Sequence, residues 1–150
     1  MKRFIRRGTV LALFLIALVF TVQTGATAPN LPNPVLVFVG AETVEAGGKQ
    51  TRRYYFDVEN KSVYPTDMFV AAPDLPPCGS NTKASRTWVE LYDHRGKRLN
   101  GFCALGKPAD MNKLWFALDE DAVPPSWVYI ELVDRKTGTK YKSNLAETTL

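Results

Sequence analysis

Along most of the chain after residue 34, apolar and polar positions alternate with a period of two, the pattern of strands whose side chains point to opposite faces. Residues 52–58 set Tyr54, Phe56 and Val58 on one side and Arg53, Tyr55 and Asp57 on the other. Residues 86–92 divide Thr87, Val89 and Leu91 from Trp88, Glu90 and Tyr92. Residues 113–118 align Leu114, Phe116 and Leu118, and residues 126–133 align Val128, Ile130 and Leu132. The run 35–39 (VLVFV) is apolar throughout and ends at Gly40. Asp93-His94-Arg95-Gly96 reads as a hairpin turn into a returning strand over 98–105. The polar loop 134–138 turns the chain into a last strand over 139–145. Only residues 108–112 (PADMN) invite a helical turn. Residues 63–85, with Pro65, Pro73, Pro76 and Pro77, must cross or wander, with one short edge strand near Phe69.

Six or seven short strands separated by turn residues predict an all-β, antiparallel β-sandwich. Its predicted core is Val37, Phe56, Val58, Val89, Leu91, Leu114, Phe116, Val128, Ile130 and Leu132. With this strand count and length, the step Tyr55-Phe56-Asp57-Val58-Glu59-Asn60 resembles the strand-to-loop step of small secreted bacterial modules of immunoglobulin-like or fibronectin type III-like architecture. The resemblance spans most of residues 34–145 and implies a fold only; function does not travel with it. An antibody-type domain pairs two cysteines across its sheets over a far longer separation than this sequence offers.

The amino terminus has a different pattern. Lys2, Arg3, Arg6 and Arg7 precede an unbroken apolar run from Val10 to Phe20, about half the ~20 residues a membrane-spanning helix requires. A cationic start, a short apolar core and a small-residue exit form a cleavable export signal over residues 1–28. Ala26-Thr27-Ala28 supplies the small residues before a cut at Pro29, and a cut after Ala26 is the alternative. No cysteine follows the apolar core, which removes a lipid-modified amino terminus. Residues 29–34 (PNLPNP) then read as an extended, unpacked leader, 35–145 as the domain, and 146–150 as a flexible tail. The expected location is periplasmic or secreted, with no membrane span in the mature chain.

This division changes the charge balance. The chain carries 19 Lys+Arg against 15 Asp+Glu, yet four of the cations lie in the signal, which holds no acid. The remainder is balanced, and nucleic-acid binding driven by net positive charge loses its support.

Cys78 and Cys103, the only cysteines, are expected to form one structural disulfide in an oxidising compartment. Their spacing is far from the C-x-x-C of a redox site. His94, the only histidine, falls in turn chemistry without companions for a triad or a zinc site, and no G-x-S-x-G elbow is present. Asp119, Glu120 and Asp121 lack the alternating spacing of a calcium loop and read as a solvated turn. No catalytic residue, metal ligand or cofactor is expected.

The aromatics suggest a surface. If the aliphatic positions point inward, Trp88 and Tyr92 share the opposite face of their strand, as do Trp127 and Tyr129, with Tyr55 outward on its own. Such a row, flanked by Glu90, Glu131 and Arg53, has the chemistry to stack on sugars or to anchor a protein. The expected function is an exported, non-catalytic interaction domain with a protein or glycan partner. The alternatives are a carbohydrate-binding module using the aromatic face, and an inhibitor of an extracellular hydrolase that presents loop 73–80.

Overall fold

The computed structural model describes residues 30–149; the export-signal reading falls on residues outside these. The fold is all-β and sandwich-like, with two antiparallel sheets. Strands β1 (Leu36–Ala46), β2 (Lys49–Val58) and β5 (Leu114–Asp119) form the first sheet in the order β1-β2-β5. The second holds β3 (Thr87–Asp93), β4 (Arg98–Phe102), β6 (Trp127–Asp134) and β7 (Lys140–Lys142) in the order β4-β3-β6-β7, with β8 (Ala146–Glu147) also paired to β6.

The alternation read from the sequence sets the register. Leu36, Phe38 and Phe56 face inward opposite Val58, Phe56 and Leu114, while Val89 and Leu91 lie against Leu132 and Ile130. Phe56, Val58, Val89, Leu91, Leu114, Phe116, Val128, Ile130 and Leu132 are all buried. Tyr54 and Phe56 both stack on Phe116, with ring centroids 4.8 and 5.8 Å away, filling the space between the sheets.

Several expectations are corrected. Val37 pairs with Asp57 on the outer side, and Leu36 takes the core position; a wholly apolar run carries no alternation to fix its phase. β1 is far longer than 35–39, because Gly47 and Gly48 (φ +61° and +77°) form the tight two-residue turn that folds it back on β2. Phe69 belongs to a 3₁₀ turn, Thr66–Phe69, whose Met68 and Phe69 insert into the core. The helical turn expected at 108–112 is a 3₁₀ turn over Pro108–Lys113.

Both chain ends are packed against the domain. Leu31 lies against the core and the Tyr64 hydroxyl donates to the Pro32 carbonyl, so the proline-rich leader is extended but docked. The segment from residue 146, set apart by the sequence as a loose tail, is docked: Ala146–Glu147 form β8 on the second sheet. Ala146 and Thr148 are buried, and the Thr148 N–H donates to the Ser126 carbonyl at 3.0 Å. Their small and β-branched side chains fit a sheet edge, which polar composition alone concealed.

Two asparagines close the seams between the sheets. Asn144 accepts from Leu36 N–H and donates to Leu36 C=O at 2.8 and 3.0 Å, imitating a strand along the edge of β1. Asn100 on β4 donates to the Trp115 carbonyl of β5 at 2.7 Å. Each satisfies backbone groups that an open edge would leave unpaired.

The core assignment predicts that Ile130→Ala will cost about 2–5 kcal/mol through lost transfer energy and a cavity. In urea unfolding the midpoint should fall well below that of the parent protein. An unchanged midpoint would place Ile130 outside the core.

Candidate functional site

The four aromatics singled out from the sequence share the outer face of the second sheet but do not form a bare platform. β3 and β6 are direct neighbours, and Tyr92 is opposite Tyr129, their rings stacked at 5.3 Å. Trp88 pairs with Val133, four positions along β3, about 14 Å from Tyr92 at the rise of a strand. Trp127 lies beyond the β3–β6 pairing and is 41% exposed.

Cations cover two of the four rings. The Arg135 guanidinium lies 4.1 Å above the Trp88 ring, and Lys142 Nζ lies 4.0 Å above Tyr129. Tyr129 is consequently buried although it faces outward. Between the rings, Glu90 pairs with Arg98, and Glu131 pairs with Lys140 at 3.2 Å. Burial, with Glu90 and Glu131 nearby, pushes the Tyr92 hydroxyl up from its ordinary value. On the first sheet, Tyr55 donates to Glu42 while Arg53 sits 4.6 Å over Trp115. The sequence located these faces, but the cations needed to cover them come from β7 and from the turn after β6, whose placement depends on tertiary pairing.

The other organised surface is the crossover between the sheets, residues 59–86, far longer than the connections of a few residues that dominate compact domains. Its first part is pinned by Tyr64, Met68 and Phe69 in the core. Its second part is a hairpin-like excursion with Ala71 bridged to Ser85 at the base. The Ala72 N–H donates to Ala84 C=O at 3.0 Å. At the tip, Cys78 and Asn81 exchange both backbone hydrogen bonds, at 3.3 and 3.0 Å, around Gly79 and Ser80. Gly79 has φ +58°, which this tight turn requires.

Two ties hold the excursion to the sandwich. Cys78 is bonded to Cys103, just past β4, with a Cα–Cα distance of 6.3 Å, as the sequence predicted. Arg135, while lying over Trp88, also donates to the carbonyls of Pro76 and Ser85. Trp88 therefore supports the guanidinium that holds the loop. Pro73, Asp74, Pro76, Pro77, Gly79 and Ser80 remain exposed.

The base of the crossover is locked by charge. Arg86 grips Asp134, at the end of β6, with two parallel bonds of 2.9 and 2.6 Å, and reaches Asp67 at 3.2 Å. Burial alone would push the Asp134 carboxyl up. Arg86, the Lys136 N–H and Thr137 outweigh it and hold the carboxyl below its ordinary value. The sequence reading passed over Arg86, Asp134 and Arg135. Their only signal was charge at strand boundaries, which is also where solvated residues occur.

His94 is exposed in the β3–β4 turn, and Asp119 pairs with Lys49 at 2.7 Å. Among the described residues no group of His, Cys, Asp or Glu is placed to hold a metal ion. No family model, curated protein or solved structure matches the chain.

A pH dependence follows from the Arg86–Asp134 pair. Because the folded state holds this carboxyl below the ordinary value of 3.8, its contribution is fully present above that value and is lost as pH falls through the lowered one. Asp134→Asn should cost about 3 kcal/mol near neutrality by leaving the largely buried Arg86 with only the exposed Asp67 as its ion partner, and should flatten the loss of stability below about pH 4. Chemical denaturation of both proteins across acidic pH measures this; parallel curves would contradict it.

Proposed function

We propose that this protein is an exported, non-catalytic interaction domain that presents the disulfide-fixed excursion 72–84 to a protein partner. The observation that carries this reading is the combination of exposure and restraint at residues 73–80. Proline rings, a crosslink, a tight turn and the Arg135 tether all limit the excursion, while six of its side chains or backbone positions face solvent. Binding through a pre-ordered loop avoids much of the conformational entropy that a free loop loses on association.

Export is part of the proposal. The Cys78–Cys103 bond fits an oxidising compartment, and among the described residues no helix is long and apolar enough to cross a membrane. Immunoglobulin-like or fibronectin type III-like kinship is the architectural form of the same reading, supported by two antiparallel sheets and a long crossover between them. Glycan binding by the aromatic face is the weaker alternative, since Arg135 and Lys142 occupy the ring faces on which a sugar would stack.

Proteins from the exported fraction of the producing cell, retained on immobilised wild-type domain and identified by mass spectrometry, provide the test. Replacing Pro76 and Pro77 with Ala and Ser80 with Arg should abolish retention of the specific partner while leaving the melting temperature nearly unchanged. Retention that survives these changes but disappears in Trp127→Ala would move the contact to the sheet face.

A further inference from the structure

At the end of β3 away from the crossover, the β3–β4 turn and the segment before β6 enclose a cleft of about 410 Å³, within the range of small-ligand sites. We infer that this cleft binds a carboxylate carried on an apolar body. Leu99, Leu118, Pro124 and Pro125 supply apolar lining. His94, Arg95 and Lys97 supply the polar side, and Ser126 adds a hydroxyl.

The balance of charge specifies the sign of the ligand. Arg95 and Lys97 are both exposed, and neither forms an ion pair among the described residues. The one acid in the lining, Asp93, is directed into its own turn: Oδ1 accepts the Arg95 and Lys97 N–H groups at 2.9 and 2.8 Å. The cleft is therefore bordered by two cationic residues, Arg95 and Lys97, beside an apolar wall. A guanidinium matches a carboxylate with two parallel hydrogen bonds, and an adjacent apolar surface adds the burial that a simple inorganic anion cannot use.

Both walls are fixed before any ligand arrives. The turn is held by Asp93 N–H to Lys97 C=O at 2.9 Å and by His94 N–H to Trp127 C=O at 3.0 Å. The facing wall contains two consecutive prolines, and Thr148 holds it by donating to the carbonyls of Pro125 and Ser126. The segment after β7, which the sequence set apart as a tail, is thus what braces the cleft. Two sources share the required chemistry: a free aliphatic or aromatic acid, and the carboxyl-terminal residue of a polypeptide ending in a large apolar side chain.

Two-dimensional NMR of the purified protein tests this with 3-phenylpropionate, its primary amide, and a short peptide ending in leucine as free acid or as amide. The acids should move the resonances of Lys97, Leu99, Leu118 and Ser126, while the amides should not. A response to 3-phenylpropionate identifies a free acid as sufficient; a response to the peptide acid alone identifies a chain end. Arg95→Gln combined with Lys97→Gln should weaken binding at least about tenfold, or 1.4 kcal/mol, without lowering the melting temperature. Acid and amide probes that act alike, no response to any probe, or a double variant that binds as tightly as the parent would each overturn the inference.

Discussion

The Cys78–Cys103 bond is the constraint on which the crossover depends. Between Val70 and Arg86 the chain leaves the sandwich and returns, and within that excursion only Ala84 and Ser85, at its base, are buried. A segment with so little core of its own gains too little from burial to offset the entropy of ordering its backbone. The bond supplies what burial does not, by closing a loop with sequence separation 25. In the chain-entropy model, closure on that scale contributes about 3–4 kcal/mol. The stabilisation acts through the unfolded chain, while the geometric effect is local: the tip is held against the end of β4.

Non-covalent ties repeat the same solution around the crossover. Arg86 joins its return limb to β6 through Asp134, and Arg135 spans from the face of Trp88 to the carbonyl of Pro76. In each case a planar guanidinium meets its partners in a fixed orientation, a geometry that an ammonium would not reproduce. The outward aromatics thereby acquire a structural meaning: Trp88 is the platform on which the arginine rests, and the Tyr92–Tyr129 stack is covered by Lys142. Trp127 alone of the four is exposed, at 41%. The opposite end of the sandwich is organised differently, by tight turns and prolines around a cleft bordered by Arg95 and Lys97, which form no ion pair among the described residues.

Local periodicity made the central strands legible. Where apolar and polar residues alternate, as at Tyr54-Tyr55-Phe56-Asp57-Val58, a single phase buries the apolar set, and the structure adopts it. Where the run is apolar throughout, as at 35–39, the phase is undetermined, and Leu36 rather than Val37 lies inward. The sequence places a short edge strand near Phe69, where the structure has a 3₁₀ turn with Phe69 in the core, since proline-rich segments anchor single side chains without any period. The cysteine pair was readable from count and compartment. Asn100, Asn144, Arg86 and Arg135 were not, because their partners are backbone carbonyls, a distant carboxylate or a ring face that only the folded chain brings near.

Amide hydrogen exchange within the excursion tests most directly whether 72–84 is an ordered surface held by its crosslink. In the oxidised protein the N–H groups of Ala72, Leu75, Cys78 and Asn81, each bonded to a carbonyl inside the excursion, should exchange far more slowly than an unstructured chain. In the Cys78→Ser, Cys103→Ser variant their protection should fall sharply, while the amides of Leu91 and Ile130 in the sheet stay slow. Exchange at the unstructured rate with the disulfide intact would contradict the account, because the proposed contact surface would then have no fixed shape to present.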